Sequence, residues 1–134
     1  MTGYVDASAL LKLYVAEPDT HEAVGALEAL DTWATGRHTF VEVRRNLTRL
    51  LRERDLAIAR DAFADDWRNV LVVELDERVC TRAAELAEET DVKTLDALHL
   101  GAASFALGDD VPFLTFDRRL AAAARALGWD VRGG

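Results

Sequence analysis

Tyr4-Val5-Asp6-Ala7-Ser8-Ala9-Leu10-Leu11-Lys12-Leu13-Tyr14 decides how the chain is read. Two β-prone residues lead into an aspartate. Beyond it Leu10, Leu13 and Tyr14 fall at i, i+3 and i+4, the spacing of a helix face. The stretch predicts a short strand ending on Asp6 and a helix starting just after it. The Asp6 carboxylate then faces the positive end of that helix. It also stands at the C-terminal tip of a strand, where open α/β sheets hold their ligands.

The alternation continues outward from this start. Asp19 and Glu22 have capping-box spacing ahead of a helix over residues 20–30. Residues 31–35 read as a short strand closed by Gly36. A helix over residues 39–54 carries Val43, Leu47, Leu50 and Leu51 on one face. Glu42, Arg45, Arg49 and Arg52 fall on the opposite face. Residues 55–68 predict another helix with Leu56, Ala59, Phe63 and Trp67 inward. Residues 71–75 form the plainest strand, apolar enough to be covered on both faces.

Asp76 caps a helix running to residue 89, and a further helix begins at Thr94. The small residues of this second helix suit close packing on the sheet, and Gly108-Asp109-Asp110 ends it. Residues 111–116 read as a strand with Pro112 near its start, where proline does least harm. Asp117 closes that strand, residues 118–127 form the last helix, Gly128 terminates it, and residues 129–131 suit an edge strand. No repeat or linker interrupts the series. The expected fold is one domain over residues 1–134, a three-layer α/β/α sandwich around a mainly parallel sheet of about five short strands.

Composition narrows the function. Half the residues are hydrophobic and 30% are charged, as in a soluble globular protein. No apolar run reaches membrane-spanning length. The start of the chain has no basic stretch or signal-peptide core, so a cytoplasmic protein without membrane contact is expected. The single cysteine, Cys80, excludes an internal disulfide and a cysteine-based zinc site. Beside Val79, Ala83 and Leu86 it reads as a small buried packing residue. The net charge of −8 disfavours general nucleic-acid binding and suits a protein that holds cations or meets a basic partner. Local clusters of Arg can override that total.

Asp6 and Asp117 both occupy strand-to-helix junctions, while Glu42 and Asp96 stand in first helical turns. Taken singly, each is better read as a structural feature. Asp6 and Asp117 suit N-caps, Glu42 completes a capping box with Thr39, and Asp96 favours the dipole of a helix capped by Thr94. His21 and His38 read as surface positions, and His99, on the face of Asp96, as a structural hydrogen-bonding residue.

Four stretches alter that weighing when taken together: Tyr4-Val5-Asp6-Ala7-Ser8-Ala9-Leu10, Phe40-Val41-Glu42, Leu95-Asp96-Ala97-Leu98-His99-Leu100 and Leu114-Thr115-Phe116-Asp117-Arg118-Arg119-Leu120. In this order they resemble the motif blocks of PIN domains, most closely the VapC toxins of bacterial toxin–antitoxin pairs. The resemblance implies that Asp6, Glu42, Asp96 and Asp117 bind Mg²⁺ or Mn²⁺ and support RNA cleavage, with Ser8 and Thr115 in supporting positions. It implies an RNA substrate, a small VapB-type antitoxin with a basic side chain in the acidic pocket, and a homodimer.

The chemistry suits such a cluster. Magnesium takes an octahedral shell of oxygens and keeps several waters, so one to three carboxylates per ion suffice. Without a cation, two unit charges about 4 Å apart repel by about 4 kcal/mol at an effective dielectric of 20. Arg45, Arg49 and Arg118 are candidates to grip phosphates, against the alternative of solvated charges paired with Glu53 and Asp55. A haloacid-dehalogenase-type phosphatase needs a second aspartate where Ser8 stands, and a receiver domain needs a late lysine, whereas the only lysines are Lys12 and Lys93. The remaining rival is a PIN-like scaffold that binds without turnover.

Overall fold

The computed structural model describes residues 1–106 and 111–133. The expected helix stop at Gly108-Asp109-Asp110 lies outside the described residues. In chain order the elements are β1 (Thr2–Val5), α1 (Ala7–Leu11), α2 (Thr20–Glu28), β2 (Thr32–Gly36), α3 (His38–Leu50) and α4 (Glu53–Trp67). There follow β3 (Leu71–Val73), α5 (Glu77–Thr90), α6 (Thr94–Ser104), β4 (Phe113–Leu114), α7 (Arg118–Ala126) and β5 (Val131–Arg132).

The five strands pair in parallel in the order β3-β2-β1-β4-β5. The chain leaves β1 for β2 on one side and later returns to β4 on the other. The strand order therefore reverses between β1 and β4, which opens a crevice at their C-terminal ends. Asp6 follows one of these strands and Asp117 the other.

Side-chain alternation along the strands divides the core in two. Val5 and Leu114 are register partners and face one layer with Leu10, Leu27, Leu47 and Phe63, from α1, α2, α3 and α4. Tyr4 and Phe113, the neighbouring register pair, face the other with Val79, Leu86, Leu100 and Leu120, from α5, α6 and α7. The result is the expected α/β/α sandwich. No helix among the described residues is long and apolar enough to cross a membrane.

Three expectations need correction. β3 is an edge strand, and Leu71 is 41% exposed; its apolar run reflects partial cover by neighbouring side chains, not burial on both faces. Cys80 is exposed. Val79, Ala83 and Leu86 define the buried face of α5, and Cys80 lies about 100° around the helix from Val79. The small residues of α6 serve a helix rather than the sheet alone. A Cβ on Gly101 would lie 2.7 Å from the Val79 carbonyl oxygen and 2.8 Å from Ala83 Cβ, so α5 and α6 touch backbone to backbone there.

Gly101→Ala should therefore force α5 and α6 apart and cost about 1–3 kcal/mol. Urea unfolding checks this. An unchanged midpoint and slope would show that the helices give way freely.

Candidate active site

Asp6 is almost fully buried, and its carboxylate is held from several directions. It caps α1 by accepting the Ala9 N–H at 3.0 Å. Ser8 donates its hydroxyl, 2.7 and 2.9 Å from the two carboxylate oxygens, and Thr115 donates at 2.6 Å. The supports are themselves tied down. Ser8 Oγ accepts the Phe116 N–H at 2.9 Å, and Thr115 Oγ1 accepts the Asp117 N–H at 3.0 Å. One hydrogen-bonded chain thus links the ends of β1 and β4. Burial raises the Asp6 carboxyl above its ordinary range, while His99, Thr115, Ser8 and the Ala9 N–H pull it back.

Asp117 caps α7 through Oδ1, which accepts the N–H groups of Arg119 at 2.9 Å and Leu120 at 3.0 Å. Capping and a place in the crevice are thus compatible readings of Asp6 and Asp117. Asp96 differs. It is the third residue of α6, whose N-cap is Lys93 rather than Thr94, and its carboxylate makes no hydrogen bond among the described residues. Burial first, then Asp117, push its carboxyl up to about 6; Asp6 and Glu42 add to the rise and His99 opposes it. The four acids therefore share one electrostatic environment.

Glu42 reaches this group by an unexpected route. Thr39 lies inside α3 and hydrogen-bonds Thr35 Oγ1 at 2.7 Å, so no capping box forms. Glu42 Oε1 instead meets His99 Nε2 at 2.8 Å, and His99 Nδ1 meets the Tyr4 hydroxyl at 2.7 Å. His99 is the buried hydrogen-bonding residue expected of it. His38 is not the surface residue expected: it is buried beside Glu42, with Nε2 3.6 Å from Oε1. Burial, then the charge of His99, lower it to about 4, against the pull of Glu42 and the Leu95 carbonyl. His21 is exposed as expected.

Asp96 and Asp117 open onto a cleft of about 730 Å³, whose cations are Lys93 and Arg119. Arg118 does not line it. Arg45 and Arg49 border a separate shallow depression with Phe40, Val41 and Arg60. Among the described residues neither pairs with an acid, although Arg49 donates to Asn46. Lys93 and His38 were missed in the sequence. Each had a signal in its spacing, Lys93 three residues before Asp96 and His38 four before Glu42.

The donors offered by the four acids are hard carboxylate oxygens, and the repulsion that lifts Asp96 is of the kind a small divalent cation relieves. The donor set fits such an ion.

A PIN domain family model matches residues 3–126. The chain belongs to the PIN-domain family. This PIN domain is 34% identical over 131 residues to Ribonuclease VapC49 of Mycobacterium tuberculosis, covering 93% of this chain and 90% of the relative. Among solved structures it resembles a toxin–antitoxin complex from Klebsiella pneumoniae, with a TM-score of 0.74 and 17% identity over 98% of this chain and 96% of that one. It also resembles M. tuberculosis VapC20, a sarcin–ricin loop cleaving toxin, with a TM-score of 0.72 and 18% identity over 92% and 95% of the two chains. At those identities the structural likeness concerns the fold. PIN nucleases generally use a divalent metal.

The crowding of Asp96 has a signature in stability. Its folded-state pKa, about 6, lies above the unfolded value near 3.9, so the folded state holds the proton more tightly. Its favourable contribution is complete below about pH 4 and is lost as pH rises through about 6. In chelator, Asp96→Asn should raise Tm at about pH 7.5, and the gain should vanish near pH 4. Equal gains at both pH values would mean that charge repulsion is not the cause.

Proposed function

We propose that this PIN domain is a divalent-metal-dependent ribonuclease, the toxin of a toxin–antitoxin pair, with Asp6, Glu42, Asp96 and Asp117 as its acidic centre. The observation that carries the reading is the shared electrostatic environment of these four carboxylates at the switch point of the sheet. Relatives named as VapC ribonucleases, matching nearly the full chain, support the reaction class.

Asp6, Asp96 and Asp117, with Glu42, would hold Mg²⁺ or Mn²⁺ through carboxylate oxygens. When bound, the cation polarises a water for in-line attack on phosphorus and stabilises the charge developing on the leaving oxygen. Ser8, Thr115 and the Ala9 N–H aim Asp6 and oppose the effect of burial on it, because donors to a carboxylate favour its charged form. Lys93 and Arg119 offer positive charge where the RNA backbone would lie. Arg45, Arg49 and Arg118 remain candidates for a more distant part of the substrate.

A small antitoxin would silence the centre by setting a basic side chain among the four acids. A homodimer completes the proposed assembly, and a cellular RNA substrate implies action in the cytoplasm.

The test is cleavage of end-labelled RNA with Mg²⁺ or Mn²⁺ by the parent, Asp6→Asn and Asp96→Asn. Loss of a residue that merely orients a metal ligand costs roughly 10–100-fold, so losing a ligand should cost about 100-fold or more. Equal cleavage by all three proteins would overturn the assignment, and metal binding without cleavage would leave a binding scaffold. Within an active enzyme, Lys93→Gln with Arg119→Gln should raise KM and reduce the salt slope by about 1 per cation. Arg45→Gln with Arg49→Gln should have the smaller effect; the reverse order would move the RNA path to α3.

A further inference from the structure

His38 is more than the carboxylate centre requires. It is nine-tenths buried, and neither ring nitrogen makes a hydrogen bond of good geometry, the neighbouring Leu95 carbonyl included. A buried imidazole left in that state costs free energy unless something else occupies its lone pair. The ring is also deliberately accommodated. A Cβ on Gly36 would stand 2.6 Å from His38 Cε1 and 2.7 Å from Nδ1, so only glycine leaves the ring its place.

The atoms facing His38 form a ligand set. His38 and Glu42 lie one turn apart on α3 and so share a helix face. His99 approaches them from α6, its ring centroid 4.1 Å from that of His38. One donor atom from each of the three residues lies within 4.8 Å of the others. Donors held about 2.0–2.1 Å from a tetrahedral ion are about 3.3 Å apart. Glu42 Oε1 is 2.8 Å from His99 Nε2 and 3.6 Å from His38 Nε2, so each distance is within about half an ångström of that spacing. His99 has an orienting partner as well. Tyr4 Oη lies 2.7 Å from its Nδ1 and accepts the Gly36 N–H at 3.0 Å, which leaves a lone pair to receive an Nδ1 hydrogen. In that tautomer Nε2 gives up the hydrogen it shares with Glu42 and is free for an ion.

We propose that His38, Glu42 and His99 form a second cation site, distinct in chemistry from the carboxylate centre and sharing Glu42 with it, that takes a borderline transition-metal ion such as Zn²⁺. Two imidazoles and one carboxylate prefer Zn²⁺, Co²⁺ or Ni²⁺ to Mg²⁺, which the all-oxygen acids suit. Coordination at this site commits the Glu42 carboxylate to the ion shared with the histidines and withdraws it from the neighbouring acidic centre. The bound ion thereby lowers activity at the neighbouring centre, a consequence that rests on the ribonuclease reading.

The full chain, stripped of metal, is titrated with Zn²⁺ by calorimetry and with Co²⁺ by visible absorption, alongside His38→Gln, Glu42→Gln, Gly36→Ala and Asp96→Asn. Circular dichroism establishes that each is folded. The parent and Asp96→Asn should bind one equivalent with matching Co²⁺ spectra. His38→Gln and Glu42→Gln should bind roughly tenfold more weakly or worse. Gly36→Ala should lose affinity although it removes no ligand. Binding that is unchanged in both His38→Gln and Glu42→Gln, or that is lost in Asp96→Asn, overturns the site. In Mg²⁺-supported cleavage, Zn²⁺ should inhibit the parent well below the concentration that inhibits His38→Gln. If no protein cleaves RNA, the ribonuclease reading fails while the Co²⁺ spectra still decide the site.

Discussion

The hydrogen bond from Thr115 to Asp6 is the joint on which the site depends. An ionised carboxylate moved out of water is costly unless it is paired and hydrogen-bonded. Asp6 is only 3% exposed and meets the requirement with Thr115, Ser8 and the Ala9 N–H. These donors come from α1, which follows β1, and from Thr115, which follows β4, the two strands flanking the switch point. The pairing of β1 with β4 and the hydrogen bonding of the Asp6 carboxylate are consequently one constraint. If the register of Val5 on Leu114 slipped by one residue, Thr115 would point to the opposite face and its hydrogen bond would go.

The remaining acids are held less comfortably. Asp117 spends one oxygen on the first turn of α7, and Glu42 is gripped by His99, but Asp96 has no donor and sits among like charges. Such a residue weakens the metal-free fold at neutral pH. Persistence of a destabilising group at one end of a well-packed sheet is the pattern of a functional site, where local order is traded for reactivity. Asp96 keeps its place in the first turn of α6, where the helix dipole favours an acid, but among the described residues it has no capping hydrogen bond to account for it.

The alternation of strand and helix was legible because each element buries a face of its own, and burial writes a period of 2 or 3.6 into the chain. The four acids were legible as positions. Asp6 and Asp117 are caps in the structure as their local spacing says, so propensity alone was bound to stop there. What local reading lacks is the neighbour across the fold. Thr39 and Glu42 have capping-box spacing, yet Thr39 is claimed by Thr35 and Glu42 by His99, 57 residues away. Residues 71–75 are apolar enough for a central strand, but the order of strands depends on which crossover packs where. His38 reads as a surface residue because nothing in residues 34–42 announces that α6 will cover it. Tertiary contact decided each of these, and no periodicity carries it.

The net charge of −8 also takes a different meaning in the structure. It disfavours binding to a polyanion only if charge is spread evenly. Here Asp96 and Asp117 line one cleft with Lys93 and Arg119 at its wall, and Asp6 and Glu42 act on Asp96 through their charge. A divalent cation among those acids would cancel half their formal charge and leave the wall locally positive toward a phosphate. The same pocket would thus be acidic when empty and largely neutralised when a cation occupies it. A net negative charge and phosphate recognition are compatible where recognition is made by a few placed cations rather than by the field of the whole molecule.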